Sequence, residues 1–195
     1  MTTEEYLKLK KQRYSQNLLE EEKVEIDNKI KEFNKTLLEK YQWLTPTNRW
    51  SGKRITDCMG GKQKGFWPNE PDKYPEYDYT YTELDDMPDG WRIAFGDQMC
   101  EEIHQELVKF NFVNEYRITQ IKEKYGTLRW YDNGYPTGSK ISDIVGKYET
   151  ISEKTCIECG KPAKWISTGW ISPFCDDCKD SDITYIEIEE KQNDK

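Results

Sequence analysis

Histidine is almost missing from this chain, with His104 the only one among 195 residues. An enzyme needs a reactive constellation, and one imidazole gives little to build it from. Glu101 and His104 carry the Glu-x-x-His spacing of carboxylate-bridged two-metal sites, yet such a site takes two of these motifs and no second histidine exists. The pair reads as part of a charged helix face. Carboxylate neighbours such as Asp85 and Asp86 are too numerous to single out, so the sequence leans away from an enzyme. Apolar residues are also scarce, at 35% against 34% charged, and mean hydropathy is −1.01. The core must be modest, with seven Trp and thirteen Tyr supplying amphipathic bulk. No apolar run is long enough to span a membrane and no signal-peptide h-region opens the chain, which predicts a cytoplasmic protein without membrane contact. The glycine-rich stretch from Asp57 to Gly65 lacks the Gly-Lys-Ser/Thr ending of a P-loop, since Gln63 follows Lys62, and this excludes a P-loop NTPase. A net charge of −8 and a pI near 4.9 argue against a surface that is one large nucleic-acid footprint.

Cysteine carries the most specific signal. Cys156-Ile157-Glu158-Cys159 is followed by Cys175-Asp176-Asp177-Cys178, the spacing of a four-thiolate zinc site. Each short turn lets two thiolates converge on one ion, and two such turns complete the tetrahedron of structural Zn²⁺. Gly160, Pro162 and Pro173 place both pairs in turn-forming sequence. Lys164 to Ser167 and Trp170-Ile171 would form short strands about Thr168-Gly169, which makes the unit a zinc ribbon. Two disulfides, or redox-active pairs, are the alternatives. Four Cys leave no open coordination position, so the site reads as structural. Cys58 and Cys100 would be free, inert thiols in a reducing compartment.

The organisation expected is α+β: a helical arm over 1–44, an irregular Gly/Pro/Tyr-rich segment over 45–90, a helix–hairpin–helix core over 91–154 and the zinc ribbon over 155–190. In the arm, Thr2 with Glu5 fits a capping box, and Asn17 with Glu20 suggests a second one. Leu19, Ile26, Ile30, Phe33 and Leu37 share one helical face, and Ser15-Gln16-Asn17 would split the arm into a hairpin. A helix packed on its own domain is the simpler reading; a homo-oligomerisation arm is the other. In the irregular segment the cations Arg49, Lys53, Arg54, Lys62 and Lys64 precede a run of acids, and Tyr77, Tyr79 and Tyr81 alternate like an edge strand. Met99, Ile103, Leu107 and Phe110 mark the buried face of a helix. Residues 116–123 and 127–131 flank Lys124-Tyr125-Gly126 as a β-hairpin, and Ile141, Ile144, Val145, Tyr148 and Ile151 trace a second helix. Ile183 to Ile188 alternates as a last strand.

Three blocks, Ile121-Lys122-Glu123-Lys124-Tyr125-Gly126-Thr127-Leu128-Arg129-Trp130-Tyr131, Cys156 to Ala163, and Gly169-Trp170-Ile171, resemble a family of uncharacterised phage, prophage and bacterial proteins. The resemblance covers roughly 90–178. It implies a phage-borne accessory protein in the host cytoplasm, with host manipulation or counter-defence as its setting, and supplies no mechanism.

Three functional classes remain after the enzyme. The first is a binding protein that captures an anionic, nucleotide-like small molecule or a host protein through Lys122, Lys124, Arg129, Trp130 and Tyr131. A two-residue turn at Tyr125-Gly126 would set Lys122 directly opposite Arg129, a repulsive pair unless something negative sits between them. A three-residue turn would pair Lys122 with Leu128 and remove that argument, and these residues could equally be a solvated hairpin with Trp130 in the core. The second class is a nucleic-acid-associated ribbon using Lys161, Lys164, Trp165, Trp170 and Lys179, opposed by Glu158, Asp176, Asp177, Asp180 and Asp182. The third is an acidic DNA mimic.

Overall fold

The computed structural model describes residues 1–46 and 77–188. Cys58, the Asp57–Gly65 stretch and the cations from Arg49 to Lys64 lie outside these residues. The architecture is α+β, with helices around two small antiparallel sheets and a C-terminal four-cysteine cluster.

α1 (Thr3–Arg13) starts as its sequence predicts: Glu5 N–H donates to Thr2 Oγ1 at 3.2 Å and Thr2 N–H to the Glu5 carboxylate at 2.7 Å. α2 (Glu20–Lys40) starts differently from the expectation. Leu19 is its first flanking residue, with its N–H donated to Glu22 at 2.8 Å, so Asn17 and Glu20 form no cap. Leu19 therefore sits before the helix, 68% exposed, outside the stripe assigned to it. The stripe begins at Ile26 and Ile30, which pack with Tyr6 and Leu7, and the Tyr6 and Phe33 rings stack at 4.5 Å.

The arm is joined to the rest of the chain at both ends. Thr3 donates to Asp97, Lys11 pairs with Asp89, and Asn34 donates to the Tyr79 carbonyl. Past the end of α2, Leu38, Tyr41, Trp43 and Leu44 are buried in the main core, where Trp43 stands edge-on to Tyr116 and Trp130. Tyr77–Tyr81 forms no strand. Tyr79 takes a positive φ of 65°, which turns the backbone back so that the Tyr77 hydroxyl reaches the Tyr81 carbonyl.

The central rod comprises α3 (Asp89–Trp91), a π-helical stretch Arg92–Gly96 and α4 (Asp97–Lys109). Met99, Ile103 and Leu107 are fully buried, as their spacing predicts, whereas Phe110, assigned to the same face, is the half-buried residue that follows the end of α4. β1 (Ile118–Lys124) and β2 (Thr127–Asp132) form the hairpin, and α5 (Ile141–Ser152) leads into the ribbon. The Ser152 hydroxyl fixes α5 to β2 by accepting the Leu128 N–H at 2.8 Å. In the ribbon, β3 (Trp165–Ser167) lies between β4 (Pro173–Phe174) and β5 (Tyr185–Glu187). β4, and not the expected Trp170-Ile171, pairs with β3.

A buried ionic knot joins arm and rod. Asp85 Oδ1 accepts from Tyr6 Oη, Lys10 Nζ and Arg92 Nη1 at 2.7–2.8 Å, and Oδ2 accepts the Thr82 N–H at 2.7 Å. Burial pushes the Asp85 carboxyl up, but Arg92 and Lys10 outweigh it and hold the group below its usual value. Asp85→Asn leaves the Arg92 guanidinium buried without its anion and should cost about 3–5 kcal/mol at neutral pH. The folded carboxyl ionises at lower pH than the unfolded one, so its contribution is complete above about pH 4 and fades as pH falls through the folded value. Urea melts of both proteins from pH 7 to 3 should show the gap narrowing with acid; a gap independent of pH would refute the assignment.

Candidate metal centre and hairpin face

Both cysteine turns are shaped by backbone bonds before any ion is considered. Cys156 follows α5 through Thr155, and the Gly160 N–H returns to the Cys156 carbonyl at 3.0 Å. Gly160 has φ 77°, the left-handed conformation that closes the turn. The second turn closes by Cys178 N–H to the Cys175 carbonyl at 3.3 Å, and Ile157 N–H to Pro173 O at 2.9 Å brings the two together. All four Sγ atoms then lie within 4.8 Å of one another, with Cys159 and Cys175 3.5 Å apart, and none of the four is in a disulfide.

The donor set fits a metal ion. Burial pushes the Cys159 and Cys178 thiols up, whereas Cys175, although desolvated, is drawn down by hydrogen bonds from the neighbouring thiols. Without a cation such a cluster retains protons, and a divalent ion displaces them to make four thiolates. Outside the sulfurs, Lys161 pairs with Asp177 at 2.7 Å, Lys164 with Asp176 at 2.6 Å, and the Trp165 indole N–H donates to Asp176. These pairs use two of the ribbon's lysines and two of its acids on each other.

The first cysteine turn is seated directly on the central rod. Gly90 N–H donates to the Ile157 carbonyl at 2.9 Å, and the Trp91 indole N–H to the Thr155 carbonyl at 2.9 Å. A Cβ on Gly90 would stand 2.2 Å from the Cys156 carbonyl oxygen, and one on Gly160 2.6 Å from the Gly90 carbonyl. Two glycine backbones thus touch across 70 residues of sequence, and neither accommodates a side chain.

The hairpin adopts the two-residue register. Ile121 pairs with Trp130, Lys122 with Arg129 and Lys124 with Thr127, and Tyr125 and Gly126 both take positive φ, 55° and 76°. This is the mirror-image turn that matches strand twist, and it excludes the three-residue alternative. Of the five side chains read as ligand contacts, four gather toward solvent and one does not. Trp130 is buried beside Trp43, with its indole N–H donated to the Tyr116 hydroxyl at 3.0 Å, so it serves the core. Lys122 donates to Gln120 at 2.6 Å and stands 5.2 Å from the Tyr131 ring; Lys124 stands over Tyr125. Arg129 lies 3.8 Å from Glu149 of α5, a long contact that supplies the cationic face with one carboxylate.

Glu101 and His104 do not converge as ligands. Glu101 accepts from Lys40, Tyr41 and Gln105, and the Lys40 and Tyr41 bonds hold its carboxyl down to about 2. His104 packs edge-on to Tyr41, and burial lowers its basicity. Cys100 is buried, its thiol pushed well up by desolvation. Among the described residues, no helix is long and apolar enough to cross a membrane.

Fold and site together define an α+β protein with a C-terminal four-cysteine cluster that could hold a metal ion. Comparison with protein-family models, with curated proteins and with solved structures gave no match.

Proposed function

We propose that the protein is a zinc-stabilised accessory binding protein whose hairpin captures an anionic group. The metal reading rests on the sulfur cage: Zn–S bonds of about 2.3 Å place tetrahedral sulfurs about 3.8 Å apart, in the range the four cysteines occupy. The zinc ion would be held by Cys156, Cys159, Cys175 and Cys178, would supply folding energy and would have no position left for substrate. Elemental analysis of chelator-free protein should give one zinc per chain; iron, or no metal, would overturn this reading.

The observation that carries the binding reading is the pairing of Lys122 opposite Arg129, with Lys124 and Tyr131 on the same exposed face. Like charges directly opposite destabilise a hairpin, and Glu149 reaches only one of them. An incoming phosphate or carboxylate would relieve the rest, held by the guanidinium fork of Arg129 and by Lys122 as a point charge. The group could belong to a nucleotide-like molecule or to an acidic patch of a host protein, the setting that the resemblance to phage and prophage proteins suggests. Arg129→Ala should abolish capture while leaving metal content unchanged and stability within about 1 kcal/mol, since an exposed ion pair contributes little. Mass spectrometry of molecules copurifying with wild type and variant checks this. A nucleotide lost from the variant identifies a small ligand, and a protein lost from it identifies a host partner. Identical copurification would place the binding surface elsewhere.

A further inference from the structure

The loop joining β3 to β4 presents Trp170, 79% exposed, at the edge of a cavity of about 540 Å³. Thr168, Phe174, Ile183 and Thr184 line the rest of it, and the exposed Asp182 belongs to the same lining. The indole is held in place. Its N–H donates to Glu123 Oε2 at 3.1 Å, and Glu123 Oε1 accepts the Gly126 N–H at 2.6 Å. One carboxylate thus clamps the ribbon loop to the hairpin turn, with Ile171 packed against Gly126. Among the described residues, neither Glu123 nor Asp182 has a cation paired with it, and none stands over Trp170. The neighbouring Trp165 differs, with Lys179 Nζ 3.6 Å from its ring centre.

This combination selects a ligand chemistry. A purely apolar anchor would leave the Asp182 carboxylate facing it, and a phosphate backbone would be repelled by Asp182 in the lining and by Glu123 at the indole edge. A cation on an aliphatic stem satisfies every part: the stem lies along Trp170 and Ile183, and the head meets the indole face and the Asp182 carboxylate. We propose that this cleft receives an arginine or lysine side chain presented by a basic segment of a partner protein. The net charge of −8 draws such a segment over long range. The site is independent of the anion capture proposed above, because strand alternation puts Glu123 on the opposite hairpin face from Lys122 and Lys124.

The test uses the metal-loaded full chain, isotope-labelled so that the Trp170 indole N–H is followed by NMR. A short glycine peptide with one central arginine is the probe, compared with the same peptide carrying leucine and with an oligothymidylate. The arginine peptide should shift the Trp170 resonance saturably. Calorimetric titration, which needs no Trp170 signal, should show Trp170→Ala and, separately, Asp182→Asn each weakening binding about tenfold, whereas Trp170→Phe keeps most of it, metal content being equal throughout. An unmoved resonance overturns the proposal. Equal response to leucine makes the cleft a plain apolar site, and a response to the oligothymidylate makes it a base-stacking one; either refutes the cationic reading.

Discussion

Cys175→Ser should remove the metal and unfold the core along with the ribbon. A structural zinc site contributes roughly 10–16 kcal/mol of apparent binding energy at neutral pH, against a total stability of about 5–15 kcal/mol for an ordinary domain. Losing one thiolate of four is therefore comparable to the whole margin. The damage should spread because the first cysteine turn holds the start of the central rod: Ile157 and Thr155 accept from Gly90 and from the Trp91 indole. Near-ultraviolet circular dichroism reads this directly, since Trp91 and Trp43 are fully buried. Their signal should collapse in the variant and in wild type treated with a strong chelator. Acid should act the same way, because protons compete with the ion for the thiolates. A metal-free variant that keeps a cooperative melt and its tryptophan signal would show the ribbon to be peripheral.

Gly90→Ala should be nearly as damaging without touching a ligand. The added methyl would sit 2.2 Å from the Cys156 carbonyl and 2.6 Å from that of Ile157, both backbone atoms that cannot swing aside. Either the cysteine turn lifts off the rod, losing the Gly90 bond, or the rod shifts and opens the packing around Trp91. Overpacking costs about 1–3 kcal/mol where neighbours can relax and more where they cannot, so a loss of at least about 3 kcal/mol is expected. Helix propensity alone would predict the opposite sign, because alanine is the better helix former. Chemical denaturation with metal in excess distinguishes the two: a variant as stable as wild type would mean that the contact is looser than its geometry.

The parts legible in the sequence are those whose signal is local. The four cysteines announce themselves by spacing, and the hairpin by a Tyr-Gly turn between β-formers. The buried face of α4 shows in the rhythm of Met99, Ile103 and Leu107. Trp130 reads as a ligand contact, yet the register that pairs it with Ile121 puts both on the apolar face, and it belongs to the core. Other features depend on distant partners. Asp85 is one carboxylate among many until Arg92, Tyr6 and Lys10 close around it. Gly90 looks like a helix start until Gly160 arrives against it. Trp170 and Ile171 read as strand because they are bulky and apolar, yet the Ser167 hydroxyl binds back within the loop to Trp170 and Ser172, and pairing resumes only at Pro173. Leu19 shows the same trap at a helix end, where an apolar residue in phase with the stripe lies one position outside the helix.

The seating of the cysteine turn on Gly90 also sets an order of events during synthesis. The central rod leaves the ribosome after the arm it binds but well before the turn that completes it, since Trp91 waits for Thr155 and the sulfur cage waits for Cys178. Contacts so far apart in sequence close slowly, and until they close the apolar face of the rod stays open to chaperones and proteases. Capture of an ion by the four cysteines, as proposed above, would then be the step that ends this exposure. The amount of finished protein in a cell would follow the supply of the ion as well as the rate of translation.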